Sequence, residues 1–203
     1  MRLLSALSLS AVICGASLSG AAFAETAKAP APNFSVTATD GKTYDIEKLR
    51  GKVVVLEWFN KGCPFVQRVY ENNYMQGLQA EYGKQGIVWL TVNSTHEGHG
   101  DYIAPKDVSA ALGEWKAQPT GYIADADGKL GKLFDAKTTP TMVVIDKNGA
   151  IAYQGALDNY PQADDDAAKT VHYTRDALQA LVSGQPIMTS QTKSYGCSVK
   201  YAG

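Results

Sequence analysis

The residues on either side of Cys63 constrain the fold more than any other part of the chain. Residues 53–58 are apolar and mostly β-branched, interrupted only by Glu57, a pattern typical of a central strand buried on both faces. After a short loop, Cys63-Pro64 opens a segment whose apolar residues recur every three or four positions, which predicts one long helix over 64–82. Because proline suits the first turn of a helix, the sequence places a thiol at a helix N-terminus.

A thiol in that position has a particular chemistry. It faces unpaired backbone N–H groups and the positive end of the helix dipole, and both favour the thiolate over the thiol. Cys63 is therefore the candidate nucleophile. The competing interpretation is a purely structural disulfide between Cys63 and Cys197, which by closing a long loop would stabilise the fold by about 4 to 5 kcal/mol.

The remaining patterns alternate between strands and helices, which predicts an α/β fold built as one domain. A hairpin is expected over 34–45 around the turn Asp40-Gly41, and the last helix is expected over 167–183, capped by Asp166. Residues from Gln185 onward show no periodicity and are expected to form a mobile tail. Further strands are predicted at 87–92, 122–124, 141–145 and 151–154, and a further helix at 107–118.

The N-terminus has the composition of a secretory signal. A basic start is followed by an apolar stretch and by small residues ending in Ala22-Phe23-Ala24, which predicts cleavage after Ala24 and loss of Cys14. The predicted organisation is a signal peptide over 1–24, a linker over 25–30, a domain over 31–185 and a tail over 186–203. The expected location is the periplasm or the extracellular space, where disulfides persist.

Charge and composition argue against several classes of function. The charges of the 20 acidic and 19 basic residues nearly cancel, so the net charge gives no strong electrostatic attraction to nucleic acid or a membrane surface. Beyond the signal, no apolar run is long enough to span a bilayer, and stable membrane insertion is not expected. His96 and His99 do not complete a metal site, and the acidic run 164–166 is interpreted as a solvated cap. Neither metal nor cofactor is expected.

Several segments resemble the redoxin branch of the thioredoxin superfamily. These are Ala31-Pro32-Asn33-Phe34, Asp40-Gly41-Lys42, residues 49–55 and Thr139-Pro140-Thr141. The resemblance implies a thioredoxin-like fold, with a central mixed sheet flanked by helices and an N-terminal β-hairpin extension. It also implies that Pro140 is a cis-proline against the active-site sulfur, with backbone groups free to pair with an extended substrate, rather than a trans turn proline. The substrate-binding residues expected on this basis are Trp58, Pro64, Phe65 and Thr139.

The resemblance also aligns individual residues of the site with those of known families. Cys63 stands where thioredoxins have the first cysteine of Cys-x-x-Cys, and Val66 stands where they have the second. Peroxiredoxins place their reactive cysteine further from the strand, behind a threonine and a proline, whereas this chain has Asn60 and Leu56 in those places. A standard peroxidase pocket is therefore not expected.

The end of the chain is similar to that of exported peroxiredoxin-like proteins with a Cys-Pro-Phe or Cys-Pro-Tyr centre. The matching tail is Gly196-Cys197-Ser198-Val199-Lys200-Tyr201. Members of that group often carry another cysteine just before the cis-proline, where this chain has Thr138. Cys197 is therefore the expected disulfide partner of Cys63.

Glu57 lies six positions before Cys63, where thioredoxins and protein disulfide isomerases have a buried carboxylic acid. Burial raises the pKa of a carboxyl group toward working pH, which suits an acid/base in thiol exchange. The alternative is a solvated side chain at a strand edge. The catalytic set predicted from the sequence is therefore Cys63, Cys197, Glu57 and Pro140.

Three functions remain open at this point. The first is an exported thiol-disulfide oxidoreductase acting on protein or small-molecule thiols and disulfides, with Cys197 resolving Cys63 and an external thiol as reductant. The second is a peroxide-reducing antioxidant in which Cys63 becomes a sulfenic acid that condenses with Cys197. The third is a non-catalytic binding module with an inert bridge between the same two cysteines.

Overall fold

Within the part of the chain that the structure describes, the strands form one central sheet and two small satellite sheets. The computed structural model describes residues 28–160, 166 and 168–203. In chain order the strands are β1 (Ser35–Thr37), β2 (Thr43–Asp45), β3 (Val54–Trp58), β4 (Val88–Asn93), β5 (Gly121–Ala124), β6 (Thr138–Thr139), β7 (Thr141–Ile145), β8 (Ile151–Gly155) and β9 (Cys197–Ser198).

The central sheet has the order β5-β4-β3-β7-β8. Strands β3, β4 and β5 are parallel, while β7 runs antiparallel to β3 and β8 antiparallel to β7. The satellites are the N-terminal hairpin β1-β2 and the pair β6-β9. The α/β class, the mixed sheet and the hairpin predicted from the sequence are confirmed.

Helices cover the sheet on both faces. They are α1 (Pro64–Glu71), α2 (Tyr74–Gly83), α3 (Val108–Glu114), α4 (Lys129–Leu133) and α5 (Tyr173–Ser183), with 3₁₀ turns at Ile46–Leu49 and Pro105–Asp107. Because side chains alternate along a strand, β3 serves two cores. Val55 joins the core that contains Cys63 and residues of α1, α2, α3 and α5. Leu56 and Trp58 join the opposite core, with the hairpin and α4.

The long helix expected over 64–82 is instead two helices. The break falls at Asn72 and Asn73, and Asn73 adopts a left-handed conformation with φ of 57°. Asparagine tolerates that conformation better than most residues, so the two asparagines end the first helix and redirect the second. The apolar spacing alone did not reveal the break because both helices bury residues in the same core.

The last helix begins at Tyr173 rather than at residue 167. Asp166 accepts the backbone N–H of Ala168 at 2.9 Å, so its side chain closes a turn ahead of the helix. The predicted signal peptide over 1–24, residues 25–27 of the predicted linker, and residues 164, 165 and 167 lie outside the described residues. In the part of the chain that the structure does describe, no helix combines the length and apolar character needed to cross a bilayer.

In this structure the C-terminal tail is bound to the domain by long-range contacts. Backbone hydrogen bonds join Gln154 of β8 to Ser190 and Thr192, and the strand β9 pairs with β6. Farther along, Tyr201 donates its hydroxyl to the carbonyl of Ala136 at 2.7 Å. These contacts join the tail to residues far away in the sequence, which is why local periodicity gave no sign of them.

Candidate active site around Cys63

Cys63 lies at the start of α1, as the sequence predicts. The loop after β3 is shaped by Asn60, whose side chain accepts the N–H of Gly62 at 2.8 Å and donates to Thr95 at 3.0 Å. The Cys63 N–H then bonds the carbonyl of Asn60 at 3.1 Å. Cys63 is the N-cap residue and Pro64 the first helical residue, so the side chain of Cys63 lies at the N-terminal end of α1.

The loop before β7 supplies the opposite wall of the site. The peptide bond between Thr139 and Pro140 is cis, in agreement with the resemblance. The Cys63 thiol donates to the carbonyl oxygen of Thr139 at 3.1 Å. Cys63 is only 1% exposed, so the resting site is closed.

The tail brings Cys197 to the same place. In the β6-β9 pair, Cys197 stands opposite Thr139 and Ser198 opposite Thr138. Gly196 has a φ of +124°, and a Cβ atom there would overlap the carbonyl oxygen of Thr139. The backbone groups beside the cis-proline, expected to be free for a substrate, are therefore paired with the chain's own tail.

The two thiols differ in acidity. Burial raises the pKa of Cys63, but interactions with the side chains of Cys197 and Thr139, and with the backbone N–H groups of Val66 and Cys197, outweigh burial and lower it overall. The pKa of Cys197 is raised to about 12 by burial and by the hydrogen bond and charge of Cys63. The pair therefore consists of one thiol that ionises readily and a neighbour that keeps its proton.

Glu57 is completely buried under α1 and α2. Its carboxylate accepts hydrogen bonds from Tyr70 at 2.7 Å, Trp89 at 2.7 Å, Gln79 at 3.0 Å and Thr91 at 3.1 Å. Burial raises the pKa of Glu57, and these four hydrogen bonds offset only part of that rise. The alternative of a solvated edge position is wrong. The four partners were not singled out in the sequence, although Tyr70 has the helical spacing of a core residue.

The other predicted substrate contacts lie in different surroundings. Pro64 is exposed, and Phe65 is half-buried with its ring 5.6 Å from that of Tyr195 in the tail. Trp58 is fully buried in the opposite core, where it packs on Phe134 and donates to Ser94. The structure thus brings Thr139 and Phe65 to the Cys63 side of the sheet and leaves Trp58 on the other side.

The two histidines of the loop after β4 have rings 5.8 Å apart. Their Nδ1 atoms accept backbone N–H groups, His96 from Gly98 and His99 from Asp101. Among the described residues, no three histidine, cysteine or acidic side chains are placed to hold a metal ion.

The fold is thioredoxin-like, and it places two cysteines beside a loop with a cis-proline. The chain belongs to the Redoxin family, which it matches over residues 26–171. It is 26% identical over 123 residues to the thiol-disulfide oxidoreductase ResA of Bacillus thuringiensis subsp. konkukian, a match that covers 60% of this chain and 64% of ResA. The chain thus spans less than two thirds of the curated relatives it matches.

Solved structures share the fold. A hypothetical protein from Sinorhizobium meliloti 1021 superposes with a TM-score of 0.74 at 21% identity, covering 89% of this chain and 97% of that one. A candidate thiol:disulfide interchange protein DsbE from Chlorobium tepidum gives a TM-score of 0.50 at 24% identity, covering 63% of this chain and 82% of that one. At these identities the likeness establishes the fold alone.

Proposed function

We propose that the protein is an exported thiol-disulfide oxidoreductase in which Cys63 is the nucleophile and Cys197 the resolving cysteine. The observation that carries this proposal is the contact between a helix-start thiol of lowered pKa and a second thiol of raised pKa. Exchange needs a reactive thiolate, a second thiol and a way in for the substrate. The match to ResA supports the activity over the shared part of the chain.

The first step uses the acidity of Cys63. Its thiolate attacks one sulfur of a substrate disulfide, the substrate S–S bond breaks, and the other substrate sulfur leaves as a thiolate that takes up a proton. Because Cys63 is buried in the resting state, the tail has to move aside for the substrate sulfur to reach it.

The second step uses Cys197. Two causes of its raised pKa, the hydrogen bond and the charge of Cys63, disappear once Cys63 is in a mixed disulfide. Cys197 then loses its proton, attacks the Cys63 sulfur and releases the second substrate thiol. The substrate gains two electrons and the cysteine pair becomes a disulfide, which an external thiol reductant converts back. The reverse flow oxidises substrate thiols.

Further roles belong to this proposal. Glu57 accepts or supplies protons during exchange, and the loop at Pro140 with Thr139, Pro64 and Phe65 receives the substrate. Residues 1–24 direct export to the periplasm or beyond, residues 31–185 form the catalytic domain, and residues 186–203 carry the resolving thiol.

The peroxide-reducing alternative has less support in the site. Asn60 takes the place of the peroxiredoxin threonine, and its amide is engaged by Gly62 and Thr95. It is therefore committed to shaping the loop instead of presenting a free donor to a peroxide.

A redox titration of the mature protein tests the proposal against the inert bridge. The protein is equilibrated in glutathione buffers of graded potential, quenched with acid, and mapped by mass spectrometry at Cys63 and Cys197. A catalytic pair converts between dithiol and disulfide within the range that glutathione spans, roughly −180 to −320 mV across compartments. A bridge that stays intact at every potential in that range would instead identify the structural alternative.

A further inference from the structure

A polar cluster anchors the tail two residues before Cys197. The hydroxyl of Tyr195 donates to Oδ1 of Asp158 and accepts from Nη2 of Arg68 at 3.3 Å. The same Nη2 donates to Oδ2 of Asp158 at 2.8 Å. Asp158 is only 3% exposed, so this is a buried ion pair with a tyrosine hydroxyl as its third member.

The cluster joins three segments that are remote in sequence. Arg68 is on α1, the helix that Cys63 begins, Asp158 follows β8, and Tyr195 belongs to the tail. Aromatic contacts reinforce the arrangement, since the Arg68 guanidinium lies 3.9 Å from the ring centre of Tyr160 and the ring of Phe65 lies 5.6 Å from that of Tyr195. The helix that carries the nucleophile therefore also holds the anchor of the tail.

The contacts of the Tyr195 hydroxyl affect the register in which β9 pairs with β6. Only Gly196 separates Tyr195 from Cys197, and Gly196 is packed on the carbonyl of Thr139. In an extended chain, a slip of one residue moves each side chain by about 3.4 Å and turns it to the opposite face. A slip would therefore move Cys197 away from Cys63. The hydrogen bonds of the Tyr195 hydroxyl with Arg68 and Asp158 oppose such a slip.

Building on the function proposed above, we infer that Arg68, Asp158 and Tyr195 are positioning residues for the resolving cysteine. They hold the tail in the register that sets Cys197 against Cys63, and they act through β9. A hydrogen bond to a buried carboxylate is among the stronger kinds in proteins. These contacts thereby raise the effective concentration of Cys197 at Cys63, because a restraint that preorganises two reacting groups favours their reaction.

The test compares two tyrosine hydroxyls of the same tail. Tyr195→Phe removes the hydroxyl bound to Asp158, and Tyr201→Phe removes the one bound to Ala136, beyond Cys197. Each protein is equilibrated with reduced and oxidised glutathione, and the fraction with a Cys63–Cys197 disulfide gives the effective concentration of Cys197. Tyr195→Phe is expected to lower that concentration about tenfold, whereas Tyr201→Phe leaves it within about twofold of the parent.

A second variant protects the test against a general loss of structure. Asp158→Asn keeps the shape of the side chain and removes its charge, so it should lower the effective concentration in the same direction. The double variant with Tyr195→Phe should fall little further, because members of one network are not additive. Urea unfolding of the reduced proteins, followed in parallel, separates a loss of positioning from a loss of fold.

The outcomes are distinct. If the parent forms no Cys63–Cys197 disulfide at any glutathione ratio, the proposed function and the positioning role fall together. If the parent forms it and Tyr195→Phe matches the parent, or falls no further than Tyr201→Phe, the positioning role alone is overturned. Additive losses in the double variant would also overturn it, because the two side chains would then act separately.

Discussion

Cys63 and Cys197 reach the same site from very different parts of the chain. Cys63 follows β3 directly and begins α1, so its position is determined by neighbouring residues. Cys197 lies on the two-residue strand β9, held by β6 on one side and by Tyr195 with Arg68 and Asp158 on the other. One thiol is placed by local structure and the other by long-range contacts.

The two cysteines also differ in what determines their pKa values. The local position gives Cys63 a hydrogen bond from the N–H of Val66, which helps to lower its pKa, whereas burial, followed by the hydrogen bond and charge of Cys63, raises the pKa of Cys197. We therefore expect changes near Cys63 to affect attack on the substrate, and changes in the tail to affect release of the substrate. Variants in the two segments should therefore separate attack on the substrate from its release.

The largest effect is expected from the cysteines themselves. Cys63→Ser should abolish exchange with oxidised glutathione, because Cys197, the other thiol among the described residues, has a raised pKa. Cys197→Ser should keep the first step and accumulate a glutathione adduct on Cys63, visible by mass spectrometry. If Cys197→Ser turns over normally, an external thiol resolves Cys63 and the division of labour between the two segments is wrong.

The second effect concerns the relative reactivity of the two thiols in the reduced protein. Because the pKa of Cys63 is lowered and that of Cys197 is raised, Cys63 should react at least about tenfold faster than Cys197 with iodoacetamide at neutral pH. Timed quenching and peptide mapping give both rates. Faster labelling of the more exposed Cys197 would mean that access, and not acidity, governs the pair.

The same contrast explains what the sequence could predict. The strand, loop, cysteine and helix around Cys63 follow from local patterning, and so do the buried Glu57 and most of the sheet. The break at Asn73 was missed because the apolar spacing continues across it. The short strands β6 and β9 were missed because two-residue strands have no measurable periodicity.

The sequence also did not predict the positioning residues. Arg68, Asp158 and Tyr195 are single polar residues in separate segments, and only the fold brings them together. Cys197 itself was found as the second cysteine of the predicted mature chain and through the resemblance of the tail to other proteins, not through a local structural pattern. Long-range placement of single side chains is the part of this site that required a structure.

A smaller effect should follow from a methyl group at Gly196. Gly196→Ala introduces a Cβ that overlaps the Thr139 carbonyl oxygen at a φ of +124°, so β9 has to shift from β6. The effective concentration of Cys197 should fall about tenfold, while attack by Cys63 on oxidised glutathione is unchanged or faster.

The matched control for that variant is Gly203→Ala, at the end of the same tail, where an added Cβ meets nothing within 4 Å. Both variants are measured in glutathione buffers, with the initial rate of adduct formation on Cys63 recorded separately. Equal behaviour of the two alanine variants would show that the β6-β9 pairing does not control the approach of Cys197.

The smallest effect is expected at Glu57, which belongs to neither cysteine-bearing segment. Because the folded pKa of Glu57 is raised, the folded state favours the protonated carboxyl group. Its contribution to stability is therefore fully present below the unfolded pKa and is lost as pH rises through the folded pKa. The loss amounts to about 1.4 kcal/mol for each unit by which the folded pKa exceeds the unfolded one.

Glu57→Gln tests this expectation, since a glutamine oxygen can accept from Trp89, Gln79 and Thr91 while its amide donates to Tyr70. The difference in unfolding free energy between parent and variant, measured in urea with both thiols reduced, should favour the parent most at acid pH and shrink as pH rises. Glu71→Gln, an exposed change at the end of α1, is the surface control measured in parallel. If Glu57→Gln also slows exchange at neutral pH, the carboxyl group moves protons for the cysteine pair. Unchanged exchange in a stable Glu57→Gln protein would restrict Glu57 to the core and leave proton transfer to the two thiols.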